Sequence, residues 1–155
     1  MEKILIFSLD GRQYGIGVRE VERVIRAVAI RPVPEGPREM LGLIDMAGRL
    51  LPVLEVRSRL GHPVRNLGLD DRIILLAGHH LVGVVVDGIV GVDSMEALEL
   101  RQPEDLYPGL DRSLAGVGRH LGEMVLVLDV SRLFGQQLLA AWHELALHHD
   151  RGRVD

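Results

Sequence analysis

The sequence predicts a mainly β protein assembled from two similar halves. Most apolar segments are five to seven residues long, rich in Val, Ile and Leu, and separated by Gly, Asp or Pro, which is typical of short strands. The chain also repeats itself. Gly42–Gly61 aligns without a gap with Gly116–Gly135, which lies 74 residues later, and Lys3–Val21 parallels Arg72–Ile89 with a turn one residue shorter. Because aromatic residues make up only 3% of the chain, each half has a small aliphatic core, and we expect each half to bury one face against the other.

In the first half, a buried strand begins almost at the N-terminus. Lys3–Leu9 is apolar on both faces, and a turn at residues 10–13 leads to a second strand. Apolar residues 21, 24, 25 and 28 then follow at helical spacing, which predicts a short helix over residues 19–27. Ala47-Gly48 is the tight turn of a hairpin. The strands predicted in this half are Lys3–Leu9, Tyr14–Val18, Leu43–Met46 and Arg49–Val56.

The second half repeats this order of elements and ends in a helix. Residues 93–111 contain Pro103 and Pro108 and are expected to be irregular. The strands predicted here are Arg72–Ala77, Leu81–Val86, Gly116–Gly118 and Met124–Leu128. Apolar side chains at 138, 139, 142, 145 and 146 predict an amphipathic helix over 136–150, followed by a tail at 151–155. Packing over one of the halves is the favoured interpretation, and contact with a membrane or a partner is the alternative. We therefore expect one domain whose halves span about 3–61 and 72–135, with exchange of strands between them left open.

Composition excludes several classes of function. The 155 residues carry a net charge of -4, which argues against a protein that binds polyanions mainly through phosphate contacts. There is no cysteine, so disulfides and cysteine-ligated metal sites are excluded. No apolar run approaches the ~20 residues needed to span a bilayer, and the N-terminus lacks the pattern of a signal peptide, so we expect a cytoplasmic protein. A small β-barrel that binds nucleic acid remains the alternative, because 17 of the 18 basic residues are arginine.

No arrangement of residues predicts catalysis, a cofactor or a metal site. Gly15-Ile16-Gly17 is followed by Glu20, so the third glycine of a dinucleotide-binding motif is missing. The seven histidines are the candidate metal ligands, with His79 and His80 in a predicted turn and His143, His148 and His149 on the last helix. His143 and His148 are five residues apart, which does not match a helical pair of ligands, so solvated histidines are the favoured interpretation. Asp87 is interpreted as capping a turn with Gly88, and a buried carboxylate with a role of its own is the alternative. The sequence thus predicts a non-enzymatic binding protein.

With these residues identified, the sequence resembles the CheW-like coupling domain of bacterial chemotaxis signalling. The resemblance runs from about Lys3 to Gly135, and the segments that carry it are Ile4–Ile25, Gly42–Gly61, Leu81–Val92 and Leu114–Phe134. It implies a pair of small, SH3-like five-stranded β-barrels packed together. It also implies a non-enzymatic adaptor that couples the cytoplasmic helical hairpins of chemoreceptors to the regulatory domain of a CheA-type histidine kinase. Such a protein would be recruited to receptor arrays at the membrane without inserting into it.

The resemblance also implies two contact surfaces and shows two departures from the family pattern. The receptor would lie in a groove between the barrels lined by Ile16, Val18, Val21, Val84, Val86 and Ile89. The surface that couples to the kinase and receptor would comprise Arg23, Ala47, Gly48 and Arg49. The family usually has Asn-Leu-Arg-Gly where this chain has Asp45-Met46-Ala47-Gly48, and an acidic residue in place of Arg23. These changes remove one charge and reverse another, so we expect a paralogue with altered partner contacts.

Overall fold

The computed structural model describes residues 2–77, 81–106 and 113–135. Within these residues, ten strands form two five-stranded sheets, with four short helical segments between and after them. The strands are β1 (Lys3–Leu9), β2 (Arg12–Gly17), β3 (Val21–Arg26), β4 (Met40–Met46), β5 (Arg49–Leu54), β6 (Arg72–Leu76), β7 (Val82–Val86), β8 (Gly88–Ser94), β9 (Leu114–His120) and β10 (Glu123–Leu128). The helical segments are one-turn 3-10 helices at Val18–Glu20 and Ser58–Leu60, and the α-helices α1 (Pro103–Leu106) and α2 (Val130–Phe134).

Each sheet takes strands from both halves of the sequence. Sheet A has the order β8-β1-β2-β10-β9, and sheet B has the order β3-β6-β7-β5-β4. The opening hairpin of one half is therefore flanked by the three remaining strands of the other half. In each sheet one parallel pair of strands connects the two halves of the sequence. This pair is β2 and β10 in sheet A, and β5 and β7 in sheet B. The predicted mainly β fold of two packed, SH3-like five-stranded units is confirmed. Within the described residues the edge strands of each sheet do not pair with each other, so the sheets are not closed into barrels.

The repeat seen in the sequence is a repeat in backbone geometry. Strands β9 and β10 occupy the positions that lie 74 residues after β4 and β5. Ala47 and Gly48 have φ of 53° and 88°, and their equivalents Leu121 and Gly122 have φ of 51° and 82°. Positive φ at both central residues is the geometry of a type I′ turn, which joins twisted antiparallel strands with little strain on their pairing.

Two equivalent glycines allow the sheets to form. A Cβ atom on Gly15 would lie 2.5 Å from Cγ2 of Ile4, and one on Gly83 would lie 2.9 Å from Cγ2 of Ile73. Both glycines lie where the hairpin strand meets its parallel neighbour, opposite Val127 and Val53. An isoleucine side chain of the antiparallel partner strand, Ile4 on β1 or Ile73 on β6, thus occupies the space that a Cβ atom would need at each glycine.

The core has three parts, and the largest lies between the sheets. Strand β1 shows why, since Ile4 and Ile6 point into the core of sheet A while Leu5, Phe7 and Leu9 join the cluster shared by both sheets. Strand β6 of sheet B divides in the same way between its own core and the shared cluster. We call this shared cluster the seam. The buried interface therefore lies between the two sheets, each of which takes strands from both halves of the sequence.

The predicted helix over residues 19–27 is wrong. Val18–Glu20 forms a single 3-10 turn, and Val21–Arg26 is strand β3, paired with β6. A bulge between Val21 and Arg23 puts Val21 opposite Leu76 and Val24 opposite Ile74, so both face the seam. An extra residue in a strand shifts its alternation by one, and the resulting spacing of three imitates a helix.

The second half contains one strand that the sequence pattern does not predict. This is β8, which has glycines at 88 and 91. The predicted turn at residues 78–80 and the predicted helix over 136–150 lie outside the described residues.

Candidate protein-binding surface

The six candidate groove residues divide into buried and accessible side chains. Ile16, Val84 and Val86 belong to the seam and are 2%, 5% and 0% exposed. A partner cannot contact them while the two sheets remain packed. Val18 and Ile89 are 38% and 37% exposed, and Val21 is half-buried against the seam.

The accessible side chains lie where the chain crosses from one sheet to the other. Val18 and Val21 lie at either end of the 3-10 turn between β2 of sheet A and β3 of sheet B. Ile89 follows the crossing from β7 of sheet B to β8 of sheet A, and it pairs with Phe7 of the seam. Val92 pairs with Leu5 on the same strands and is 52% exposed, so it adds to the apolar surface beside Ile89. The structure therefore places these residues on two related crossings, each at the margin of the seam.

The candidate coupling residues lie at opposite sides of sheet B, three of them at the β4–β5 turn and one on the edge strand β3. Ala47, Gly48 and Arg49 are exposed at the tip of the β4–β5 hairpin, where the Gly48 N–H donates to Oδ1 of Asp45 at 2.8 Å. Arg23 is exposed on β3, the opposite edge strand. The tip has a fixed backbone, so the side chain at position 47 projects from a defined turn.

A buried arginine ties the two sheets together near the second crossing. Arg57, 8% exposed, follows β5 of sheet B. Its guanidinium donates to Asp10 in the β1–β2 turn of sheet A, to Asp87 at 2.6 Å, and to the carbonyl of Pro63 at 3.0 Å. The Asp10 N–H in turn donates to Asp87 at 2.7 Å. Charge-assisted bonds of this kind fix geometry as well as adding energy.

A second chain of hydrogen bonds joins the loop after β5 to sheet A. His62 Nε2 lies 2.6 Å from the Tyr14 hydroxyl, and His62 Nδ1 lies 3.1 Å from Oδ2 of Asp10. A neutral His62 with its proton on Nδ1 satisfies both contacts, because it accepts from Tyr14 and donates to Asp10. Burial raises the pKa of Tyr14 above its ordinary value. Tyr14 and His62 are only 3% and 8% exposed, so these two members of the chain of hydrogen bonds are buried between the loop and sheet A.

Asp87 is the centre of these contacts, and it caps the β1–β2 turn of sheet A and not, as predicted, a turn with Gly88. Its carboxylate accepts from Arg57, from the Asp10 N–H, and from Arg65 at 2.6 Å. Burial by itself would raise the pKa of Asp87, but these three donors lower it below its ordinary value. The bond from Arg65 also lowers the pKa of Asp71, which accepts from that guanidinium at 2.7 and 2.9 Å.

Sequence reasoning missed these charged residues as a group, although one signal pointed to them. Asp87 is the single charged side chain within the apolar run from Leu81 to Val90, where a carboxylate requires a buried partner. Within residues 2–77, 81–106 and 113–135, no group of three acidic or histidine side chains is arranged to hold a metal ion. The candidate histidines at 79, 80, 143, 148 and 149 lie outside those residues. None of the helices in the described part of the chain has the length and apolar character to cross a membrane.

Comparison with known proteins decides the family. The family model described as a CheW-like domain matches residues 3–138. The chain belongs to the CheW-like domain family. It is similar to the chemotaxis protein CheW of Klebsiella aerogenes, with 28% identity over 153 residues that cover 96% of this chain and 90% of the relative. It is 25% identical to the chemotaxis protein CheW of Bacillus subtilis over 138 residues, which cover 88% of each chain.

A solved structure has the same architecture. The scaffolding protein TtCheW from Thermoanaerobacter tengcongensis superimposes with a TM-score of 0.75 at 26% identity, covering 89% of this chain and 97% of that one. The resemblance drawn from the sequence motifs is therefore confirmed, and so is the fold that it implies.

Proposed function

We propose that this CheW-like protein is a non-enzymatic adaptor that couples the cytoplasmic helical hairpins of chemoreceptors to the regulatory domain of a CheA-type histidine kinase. The observation that carries the proposal is the set of accessible apolar side chains, Val18, Val21 and Ile89, at the two crossings beside the seam. An amphipathic helix binds by laying its apolar face against such a surface. The buried contacts of Arg57 hold the two sheets that carry these side chains, so the surface is formed before the partner arrives.

The two partners would use different parts of the molecule. The receptor hairpin would contact the crossings, and the kinase would contact an edge of sheet B that includes the β4–β5 tip. An adaptor of this kind acts by holding the kinase in one arrangement against the receptor, so it needs no catalytic residue. Its place at the membrane would come from these partners.

The receptor contact is tested with a pair of matched variants. We expect Val18→Asp to weaken binding of a receptor cytoplasmic fragment from the same organism at least tenfold, since it puts a charge into an apolar contact. Val28→Asp is the control, because Val28 is 39% exposed against 38% for Val18 and lies away from both crossings in the sequence. Both affinities are measured by isothermal titration calorimetry. Equal affinity of the two variants for the fragment would refute the placement of the receptor.

The kinase contact is tested through the departure at position 47. Titration of the unaltered protein with the kinase regulatory domain should show micromolar binding or tighter, about -8 kcal/mol. The hypothesis of a paralogue with altered contacts predicts that Ala47→Arg, which supplies the arginine usual in the family, changes this affinity severalfold. An affinity that Ala47→Arg leaves unchanged would count against a role for the tip, and no binding by either protein would refute coupling to this kinase.

A further inference from the structure

One segment between the two sheets is held with little burial of apolar surface. Residues 63–70 lie between the 3-10 turn Ser58–Leu60 and β6, and they form neither a helix nor a strand. Their large apolar side chains lie mostly in water, since Val64, Leu67 and Leu69 are 63%, 39% and 97% exposed. Apolar burial therefore contributes little to the position of residues 63–70, which we call the strap.

Backbone pairing does not hold the strap either. Among the hydrogen bonds between described residues, the strap makes a single bond between backbone groups, which the Asp71 N–H donates to the Gly68 carbonyl at 3.2 Å. That bond closes a local turn and does not reach a strand. At the start of the strap, the Pro63 carbonyl accepts from the guanidinium of Arg57 at 3.0 Å. The strap is thus attached at its ends, and its backbone pairs with neither sheet.

Charged side chains hold the rest of the strap. The Gly68 N–H donates to the carboxylate of Asp71 at 2.7 Å. Arg65, in the middle of the strap, donates to Asp71 at 2.7 and 2.9 Å and to Asp87 at 2.6 Å. Because the Arg65 side chain is 39% exposed, water and salt reach these ion pairs and weaken them.

The strap covers an apolar cleft. The cleft has a volume of ≈ 220 Å³, and residues 64–67 of the strap are among those that line it. The apolar residues that line the cleft outside the strap are Ile30, Leu41, Val56 and Val85. Val56 is 3% exposed and belongs to the seam, while the other three pack against the core of sheet B. Lifting the strap would therefore expose apolar surface while the strands keep their pairing.

We propose that the strap opens and closes over this cleft while both sheets stay folded, with Arg65 as the clasp that holds it shut. The sheets are held by a buried core, whereas the strap is held by a few ion pairs and hydrogen bonds, so the strap opens at a lower cost in free energy. Asp87 directly precedes the second crossing, and opening removes one of the three donors to its carboxylate. The strap therefore links access to the cleft with the structure of the second crossing.

Labelling of a single thiol in the native state tests the strap. The chain has no cysteine, so Val56→Cys gives one thiol at the cleft, and its rate of reaction with uncharged N-ethylmaleimide is followed by mass spectrometry. We expect Arg65→Gln to raise this rate at least about fivefold, since the clasp loses its charge. Arg38→Gln is the matched control, because Arg38 is exposed in the loop before β4, and it should leave the rate unchanged.

Two further measurements distinguish opening of the strap from unfolding of the sheets. Val125→Cys places a thiol in the core of sheet A, where Val125 is 0% exposed, so its labelling requires the sheet to open. The labelling rate of Val56→Cys should depend much more weakly on urea than that of Val125→Cys, because opening of the strap exposes less surface. Raising NaCl from about 50 mM to about 500 mM should speed the labelling of Val56→Cys, and should have little effect once Arg65→Gln is present.

Three results would overturn the proposal. They are the same urea dependence at both thiols, equal labelling rates with Arg65→Gln and with Arg38→Gln, and labelling of Val56→Cys as fast as that of the exposed thiol in Glu35→Cys. Circular dichroism shows whether each variant keeps its fold, and Val85→Cys, which lines the same cleft, replaces Val56→Cys if that variant does not. No receptor or kinase takes part, so the result is independent of the proposed adaptor function.

Discussion

Replacing Arg57 with methionine should destabilise the protein without changing its fold. The side chain is 9% exposed and contacts two carboxylates and one carbonyl that belong to three different parts of the chain. Methionine keeps most of the aliphatic volume of arginine, so the variant removes the charge and its hydrogen bonds and leaves little cavity. The carboxylates of Asp10 and Asp87 then lose a shared partner.

The size of the effect follows from how exposed those carboxylates are. Removing one partner of a fully buried ion pair costs about 3–5 kcal/mol. Here the Asp10 and Asp87 side chains are 40% and 23% exposed, so water can solvate them after the change. Asp87 also keeps its bonds from Arg65 and from the Asp10 N–H. We therefore expect Arg57→Met to lower the free energy of unfolding by about 2–3 kcal/mol, with a fall in Tm of roughly 5–10 °C.

Urea unfolding followed by far-UV circular dichroism measures this loss. Arg26→Met is the matched control, because Arg26 is exposed on β3, and it should stay within about 0.5 kcal/mol of the unaltered protein. A double-mutant cycle with Asp87→Asn should give a coupling energy of about 1 kcal/mol or more. If Arg57→Met unfolds at the same urea concentration as Arg26→Met, the argument that Arg57 ties the sheets together is refuted.

Three other perturbations test the remaining physical arguments. Gly15→Ala and Gly83→Ala should each lower the free energy of unfolding in urea by about 1–3 kcal/mol, since the added Cβ meets Ile4 or Ile73. Gly91→Ala is the control, because a Cβ there has open space and should be nearly neutral. Equal effects at all three positions would contradict the close approach. Phe7→Ala in the seam should lower the free energy of unfolding by about 3–5 kcal/mol, whereas Val92→Ala, at an exposed position, should lower it by less than about 1 kcal/mol. Similar losses for the two variants would show that the seam is not a core. Because the pKa of Asp71 is lowered by folding, its contribution to stability is present above about pH 4 and is lost as the pH falls through the folded pKa. The deficit of Asp71→Asn should therefore be full at pH 6 and shrink toward pH 2 in unfolding measured across that range, and a deficit independent of pH would show that the ion pair with Arg65 is not its cause.

The sequence predicts the elements that depend on local chemistry. The β4–β5 and β9–β10 hairpins are predicted from turn residues that lie between apolar runs. Because the two hairpins are equivalent in the repeat, the prediction of one supports the prediction of the other. Strand β3 has the apolar spacing of a helix because a bulge, which depends on pairing with β6, shifts its alternation. The sequence pattern does not predict strand β8, because its two glycines weaken the apolar pattern. Its pairing partner β1 lies in a distant part of the chain.

The site was less predictable than the fold because its contacts join distant positions. Arg57 meets Asp87 across 30 positions and Asp10 across 47, and a pattern read along the chain gives no register for such pairs. The same reason explains the buried groove candidates. Ile16, Val84 and Val86 look like strand residues that alternate in and out, and only the packing of two sheets shows that their outward face is the seam.

The repeat gives the two hairpin tips the same backbone geometry but opposite charges. The tips of the β4–β5 and β9–β10 hairpins have the same type of turn, so their backbones present side chains in the same way. Their charges are reversed, however, because Asp45 corresponds to Arg119 and Arg49 corresponds to Glu123. A partner surface complementary in charge to one tip would place like charges against the other, which is costly. The repeat with reversed charges therefore gives the two tips the same backbone geometry and opposite charge, and this would suit the adaptor proposed above, which has to distinguish two partners.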